Sequence, residues 1–176
     1  MTLRFKQPHI ILDLETTGRS PKQDRITEIG IIDLTDEVET EWSTLVNPGI
    51  PISSFITNLT GIDDHKVKKA PSFAAIAQEV LKRIEGKVVI AHNAKFDYGF
   101  LKAEFARAGI VYESRTLCSL ELSRQLYAQH KSHSLGSIIE RNGFQLESRH
   151  RALDDARAVW HFLKAVQKDY PDLTDY

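Results

Sequence analysis

The sequence predicts an α/β fold, a mixed sheet of three antiparallel strands plus parallel strands, flanked by helices. Two observations carry this. Residues 9–46 hold apolar, β-branched runs separated by turn residues, which read as an antiparallel meander. The remainder alternates amphipathic helical periodicity with short apolar runs, the pattern of helices crossing between parallel strands. At 176 residues the chain suits one domain with one sizeable core, so 1–176 is treated as a single unit. It shows no internal repeat, low-complexity tract or internal linker.

The first strand begins with the buried run His9–Leu12 and closes at Thr16-Thr17-Gly18. Ile26–Leu34 and Val38–Val46 read as the second and third strands, with Thr35-Asp36 turning between them. Pro48–Ser54 reads as a connecting loop. In Phe73–Ile84, apolar residues at Phe73, Ile76, Ala77, Val80, Leu81 and Ile84 make one helix face, ended by Gly86. Lys87–Ala91 is a short strand that breaks at His92-Asn93. A helix follows over Ala94–Ala108, stopped by Gly109. Arg115–Leu117 reads as a fifth strand, and Ser119–Tyr127 and Leu135–Asn142 as helices, the second ended by Gly143. The last helix starts at Ala152, with Ala152, Ala156, Val159, Trp160, Leu163 and Val166 as its apolar stripe.

Three segments carry acids that such a fold has no packing reason to keep. Asp13 and Glu15 sit two apart at the end of an apolar strand, so they share a face. Two like charges there repel and resist desolvation unless something positive lies between them. A pair of divalent cations roughly 3.5–4 Å apart would satisfy both, and is the apparatus of in-line phosphoryl displacement. An isolated D-x-E is more often a solvated pair. Asp97 falls in the first turn of its helix, where the helix dipole alone accounts for a negative charge, as capping does for Asn93. Asp155 lies off the stripe of the last helix near its start. His150, five residues earlier, would be turned roughly 140° away on a continuous helix, so it belongs in the preceding loop. There an imidazole suits the general-base role. Asp154, about 100° around from Asp155, reads as a supporting or solvent-facing acid.

Together these segments resemble the DEDDh branch of the 3′–5′ exonucleases, the superfamily of proofreading exonucleases and RNase T. The resemblance rests on Asp13-Leu14-Glu15-Thr16-Thr17-Gly18, His92-Asn93-Ala94-Lys95-Phe96-Asp97 and His150-Arg151-Ala152-Leu153-Asp154-Asp155, and spans residues 8–168. It implies a ribonuclease H-like fold and a catalytic set of His150, Asp13, Glu15, Asp97 and Asp155. The four acids would hold two Mg²⁺ or Mn²⁺ ions, and His150 would deprotonate the attacking water. It further implies that Thr16, Thr60, Ile62 and Phe96 meet the terminal nucleotides. Ile62 and Phe96 also read as ordinary core residues, and Thr60 stands where proofreading relatives often have His. The implied substrate is the 3′ end of single-stranded nucleic acid, DNA favoured, with exoribonuclease activity or a silent nucleic-acid-binding module as alternatives. A polymerase, or a fused nuclease or helicase domain, is the implied partner. The chain then stands alone or was cut from a longer polypeptide.

Composition is compatible with this. Apolar residues make up 41% and charged residues 27%, ordinary for a globular chain. No apolar run approaches the ~20 residues of a membrane span, and no signal-peptide pattern precedes the first strand, so no membrane role is expected. Cys118 is the only cysteine, which excludes an internal disulfide and points to a cytoplasmic setting. His130 and His133 have no companion ligands in sequence, and a zinc site is not expected. The net charge of −1 argues against nucleic acid only until four acids are assigned to metal. Lys66, Lys68, Lys69, Arg149 and Arg151 then stand as candidate phosphate contacts.

Overall fold

Alternation along β1 (His9–Thr16) sorts its side chains between two apolar layers. Ile10, Leu12 and Leu14 face one layer and Ile11 the other, and Asp13 and Glu15 follow Ile11. The computed structural model describes residues 7–35, 39–145 and 150–171. Asp36, Val38, Arg149 and residues 172–176 are outside the described residues. β1 is the middle of a five-stranded sheet with β2 (Ile26–Asp33), β3 (Thr40–Leu45), β4 (Val88–Ala91) and β5 (Thr116–Cys118), in the order β3-β2-β1-β4-β5. β1, β2 and β3 pair antiparallel, and β4 and β5 add in parallel. This is the mixed sheet expected, and β1 runs on past the apolar His9–Leu12 to Thr16, where the expected turn begins.

Helices cover both faces. α3 (Phe73–Ile84) and α4 (Ala94–Arg107) place Phe73, Val80, Phe100 and Phe105 against Ile10, Leu12 and Leu14. α7 (Ala152–Asp169) lays Ala156, Val159, Trp160 and Leu163 on Ile11, Ile32 and Ile90. Each such fully buried aliphatic or aromatic side chain contributes about 1.5–3 kcal/mol. All six stripe residues expected on the last helix are buried. α5 (Ser119–Leu126) and α6 (Leu135–Asn142) fall within a residue of expectation, and α6 packs Ile138 against Phe162 and Val166.

Two helices follow the expected Pro48–Ser54 loop, in a stretch to which the sequence assigned no element. α1 (Ser54–Thr60) begins after Ser53, whose hydroxyl accepts from the Ile56 N–H, and ends at Gly61 with φ 69°. The short α2 (Asp64–Val67) is capped by Asp63 in the same way. The β-branched Ile56, Thr57 and Thr60 mask α1 in a propensity reading, although its Ser cap and Gly stop are both present.

Candidate active site

β1 outruns β4: their pairing ends at Ile11–Ile90, and the remaining residues of β1 project past the parallel half of the sheet. Asp13 and Glu15 lie on that projection. α4 starts just after β4, which sets Asp97 in its first turn beside the same strand end. Asn93 occupies the N-cap in the left-handed region, φ 65°, and makes no side-chain cap. The Leu14 N–H and the backbone N–H of Asp97 itself hydrogen-bond the Asp97 carboxylate. From the other end of the chain, α7 crosses β2 and β1 on the face that carries Asp13 and Glu15.

The close seating of α7 depends on Gly30. A Cβ there would lie 2.4 Å from the Ala152 carbonyl carbon and the Leu153 nitrogen, so the start of the helix rests on bare backbone of β2. One ligand atom each from Glu15, His150 and Asp155 then lies within 4.8 Å of the others. His150 precedes the helix, as expected from its spacing, with φ 57°. Asp97 and Asp155 are nearly inaccessible, whereas Asp13, Glu15 and His150 are half-buried.

The electrostatics are those of crowded acids. Burial pushes the Asp13 carboxyl well above the usual carboxylate range, and the charges of Asp97, Asp155 and Glu15 push it further. Glu15 is raised to about 8, first by burial and then by Asp155 and Glu28, with Arg151 pulling the other way. Asp97 is raised by burial despite its two backbone donors. Four carboxylates gathered this way offer hard oxygen donors suited to Mg²⁺ or Mn²⁺. The donor set therefore fits the divalent cations the motifs imply.

Beside these acids is a cavity of about 620 Å³ lined by Glu15, Thr16, Arg19, Phe55, Leu59, Thr60, Asn93 and Phe96, among others. Thr16, Thr60 and Phe96 are thus brought to its wall. Ile62 is not: it is buried with Ile52 and Val67, and Leu59 stands at the wall instead. Thr60 ends α1, and its hydroxyl donates to the Ile56 carbonyl at 3.0 Å and accepts from the Ile62 N–H at 3.0 Å. Phe55 is 68% exposed and Leu59 43%, unusual for apolar side chains at a cavity mouth. Phe55 was not legible as a cavity residue because α1 was not, and Arg19 reaches the cavity from the turn after β1.

Among the basic residues, Arg151 departs from expectation. Arg151 is occupied: its Nε donates to Glu28 at 3.1 and 3.0 Å and its Nη2 at 2.6 Å. Lys66 donates to the Gly61 carbonyl, and Lys68 and Lys69 are exposed. Asp154 does not face solvent. It is buried and accepts from Arg157 at 2.7 Å.

Residues 10–163 match the family model RNase_T, described as an exonuclease. The chain belongs to this exonuclease family. Its motifs put it in the DEDDh branch, with 3′–5′ exonuclease as its enzyme class. The exonuclease chain is 41% identical over 161 residues to the PolC-type DNA polymerase III of Caldanaerobacter subterraneus, covering 90% of this chain and 12% of that one. With the PolC-type enzyme of Clostridium perfringens the figures are 35%, 91% and 11%. The chain therefore spans about one-eighth of the length of these relatives. Among solved structures, E. coli Exonuclease I in complex with a dT13 oligonucleotide superposes with TM-score 0.84 at 19% identity, over 96% of this exonuclease and 42% of that chain. Exonuclease X in complex with 5′-overhanging duplex DNA gives TM-score 0.72 at 24% identity, over 92% of each chain. These two likenesses establish the shared fold.

Proposed function

We propose that the chain removes nucleotides from the 3′ end of single-stranded DNA in a divalent-metal-dependent reaction, in a proofreading or repair setting. The observation that carries this reading is the meeting of Glu15, His150 and Asp155 within 4.8 Å, on the sheet face shared with Asp13. Asp13, Glu15, Asp97 and Asp155 would hold two Mg²⁺ or Mn²⁺ ions. When bound, such ions neutralise the scissile phosphate and favour ionisation of water. His150 takes the proton of the attacking water as its oxygen bonds to phosphorus. The P–O3′ bond breaks, the leaving oxygen acquires a proton, and a nucleoside 5′-monophosphate departs from a strand with a new 3′ hydroxyl. Thr16, Leu59, Thr60 and Phe96 would receive the terminal nucleotide in the adjoining cavity, with Phe55 as a further stacking face.

DNA is favoured over RNA because the relatives of 34–41% identity carry the name of DNA polymerases. The same names support a partnership with a polymerase, within one polypeptide or between two, and a cytoplasmic setting. No helix of the described residues is long and apolar enough to cross a membrane. The test uses 5′-labelled single-stranded DNA and matched RNA with Mg²⁺, Mn²⁺ or EDTA. A ladder shortening from the 3′ end with metal, abolished by EDTA and faster on DNA, is expected. Faster shortening of RNA would reassign the substrate, and intact substrates throughout would overturn the reading.

A further inference from the structure

Glu28 on β2 pairs directly across the strand from Glu15. It is only 3% exposed, so a fifth ionised acid here would face desolvation and repulsion unless neutralised. Arg151 neutralises it through a fork of contacts from Nε and Nη2, the closest at 2.6 Å. Glu28 also accepts the Ala152 backbone N–H at 3.0 Å. That N–H belongs to the first residue of α7, whose N-cap residue, Arg151, supplies no side-chain cap. A carboxylate from another element thus caps the helix that carries Asp155. One residue before Arg151, His150 stands in the left-handed region at φ 57°, a conformation that costs a non-glycine residue energy and needs its surroundings to hold it. Two residues along β2, Gly30 receives the backbone of Ala152 and Leu153.

We propose that Glu28 and Arg151 form a positioning clamp that locks the junction between His150 and α7 onto β2, so that His150 and Asp155 meet Glu15. The clamp rests on the exonuclease reading for its purpose. It acts through the groups it holds and touches no reacting atom. It also removes Arg151 from the residues available to bind phosphate, because its guanidinium is already committed to Glu28. Arg is required for this role: lysine keeps the charge but lacks the planar fork that grips both carboxylate oxygens.

Steady-state kinetics on single-stranded DNA with Mg²⁺, for Glu28→Gln, Arg151→Gln, Arg151→Lys and the double Gln variant, test the clamp. Amide hydrogen exchange at Ala152 and Leu153 in metal-free protein accompanies them. Each Gln variant is expected to lower kcat by about 10–100-fold with KM changed by less than about threefold, the pattern of a lost supporting contact. The double variant is expected to be no worse than the more damaging single one, and Arg151→Lys to recover only part of the loss. Exchange should quicken at Ala152 and Leu153 while the β1–β2 amides stay protected. A kcat within about twofold of wild type for Glu28→Gln would overturn the proposal. So would a loss confined to KM with a weaker salt dependence for Arg151→Gln, which would make Arg151 a phosphate contact. Exchange quickening uniformly across the sheet would reduce the pair to a general stabiliser. Exchange requires no turnover, so it judges the clamp even if the wild-type chain degrades neither DNA nor RNA, a result that would count against the functional reading alone.

Discussion

Replacing Gly30 with alanine tests the geometry of the site without touching any acid. The new Cβ would stand 2.4 Å from Ala152 C and Leu153 N and 2.7 Å from Ala152 O, whereas ordinary contact begins near 3.4 Å. The obstruction is backbone on both sides, so no side chain can swing away, and the start of α7 must retreat by about 1 Å. Overpacking of this kind costs about 1–3 kcal/mol. A misplacement of about 1 Å in a catalytic group costs on the order of a hundredfold in rate, because His150 and Asp155 move with the helix. Urea unfolding gives the first quantity and kcat on single-stranded DNA the second. A Gly30→Ala variant with kcat within about twofold of wild type and stability within about 0.5 kcal/mol would refute the argument that bare backbone at Gly30 sets the helix position.

Metal-free protein should lose stability as pH rises from about 4.5 to about 8, because Glu15 holds its proton in the folded state after the unfolded chain has released it. Asp13 and Asp97, also raised, add in the same direction. Thermal melts in EDTA across that range should show a falling Tm, with the fall reduced in Asp13→Ala and opposed by added Mg²⁺; a rising Tm would contradict the shifts. His150→Ala should lower kcat by about 10²–10⁴-fold in single-turnover assays, and a loss under about tenfold would remove it from the general-base role. Glu104→Ala, remote from the acids, should destabilise by about 3 kcal/mol in urea unfolding, because Glu104 is buried and takes Arg25 at 2.7 and 3.0 Å.

Most of the sheet, α3 and α7 were legible because their apolar periodicities are strong, whereas α4, with little segregation of apolar residues, was legible from its Gly109 stop. Asp13, Glu15, Asp97, His150 and Asp155 were singled out for a different reason: each has an ordinary explanation alone, and only the three motifs together point to a site. What escaped were residues whose roles depend on a partner far along the chain. Glu28 looks like any strand acid until Arg151 and Ala152 are brought against it, over a hundred positions later. Gly30 looks like a weak spot in a strand until a helix rests on it. Arg151, beside His150, invited a phosphate-binding reading that only its contact with Glu28 corrects. Phe55 and Leu59 were hidden by α1, whose β-branched residues obscure an otherwise well-capped helix.

The central placement of β1 bears on the order in which the site is assembled. Asp13 and Glu15 lie on β1 and β2 follows directly to pair with it, whereas β4 follows only after α1 to α3, and α7 follows all the other described elements. β1 and β2 alone therefore hold Asp13 and Glu15 without Asp97, His150 or Asp155, which later elements supply. The seating of α7 on Gly30 is therefore the step that brings His150 and Asp155 to Glu15, so the order of folding sets the order in which the cluster is assembled.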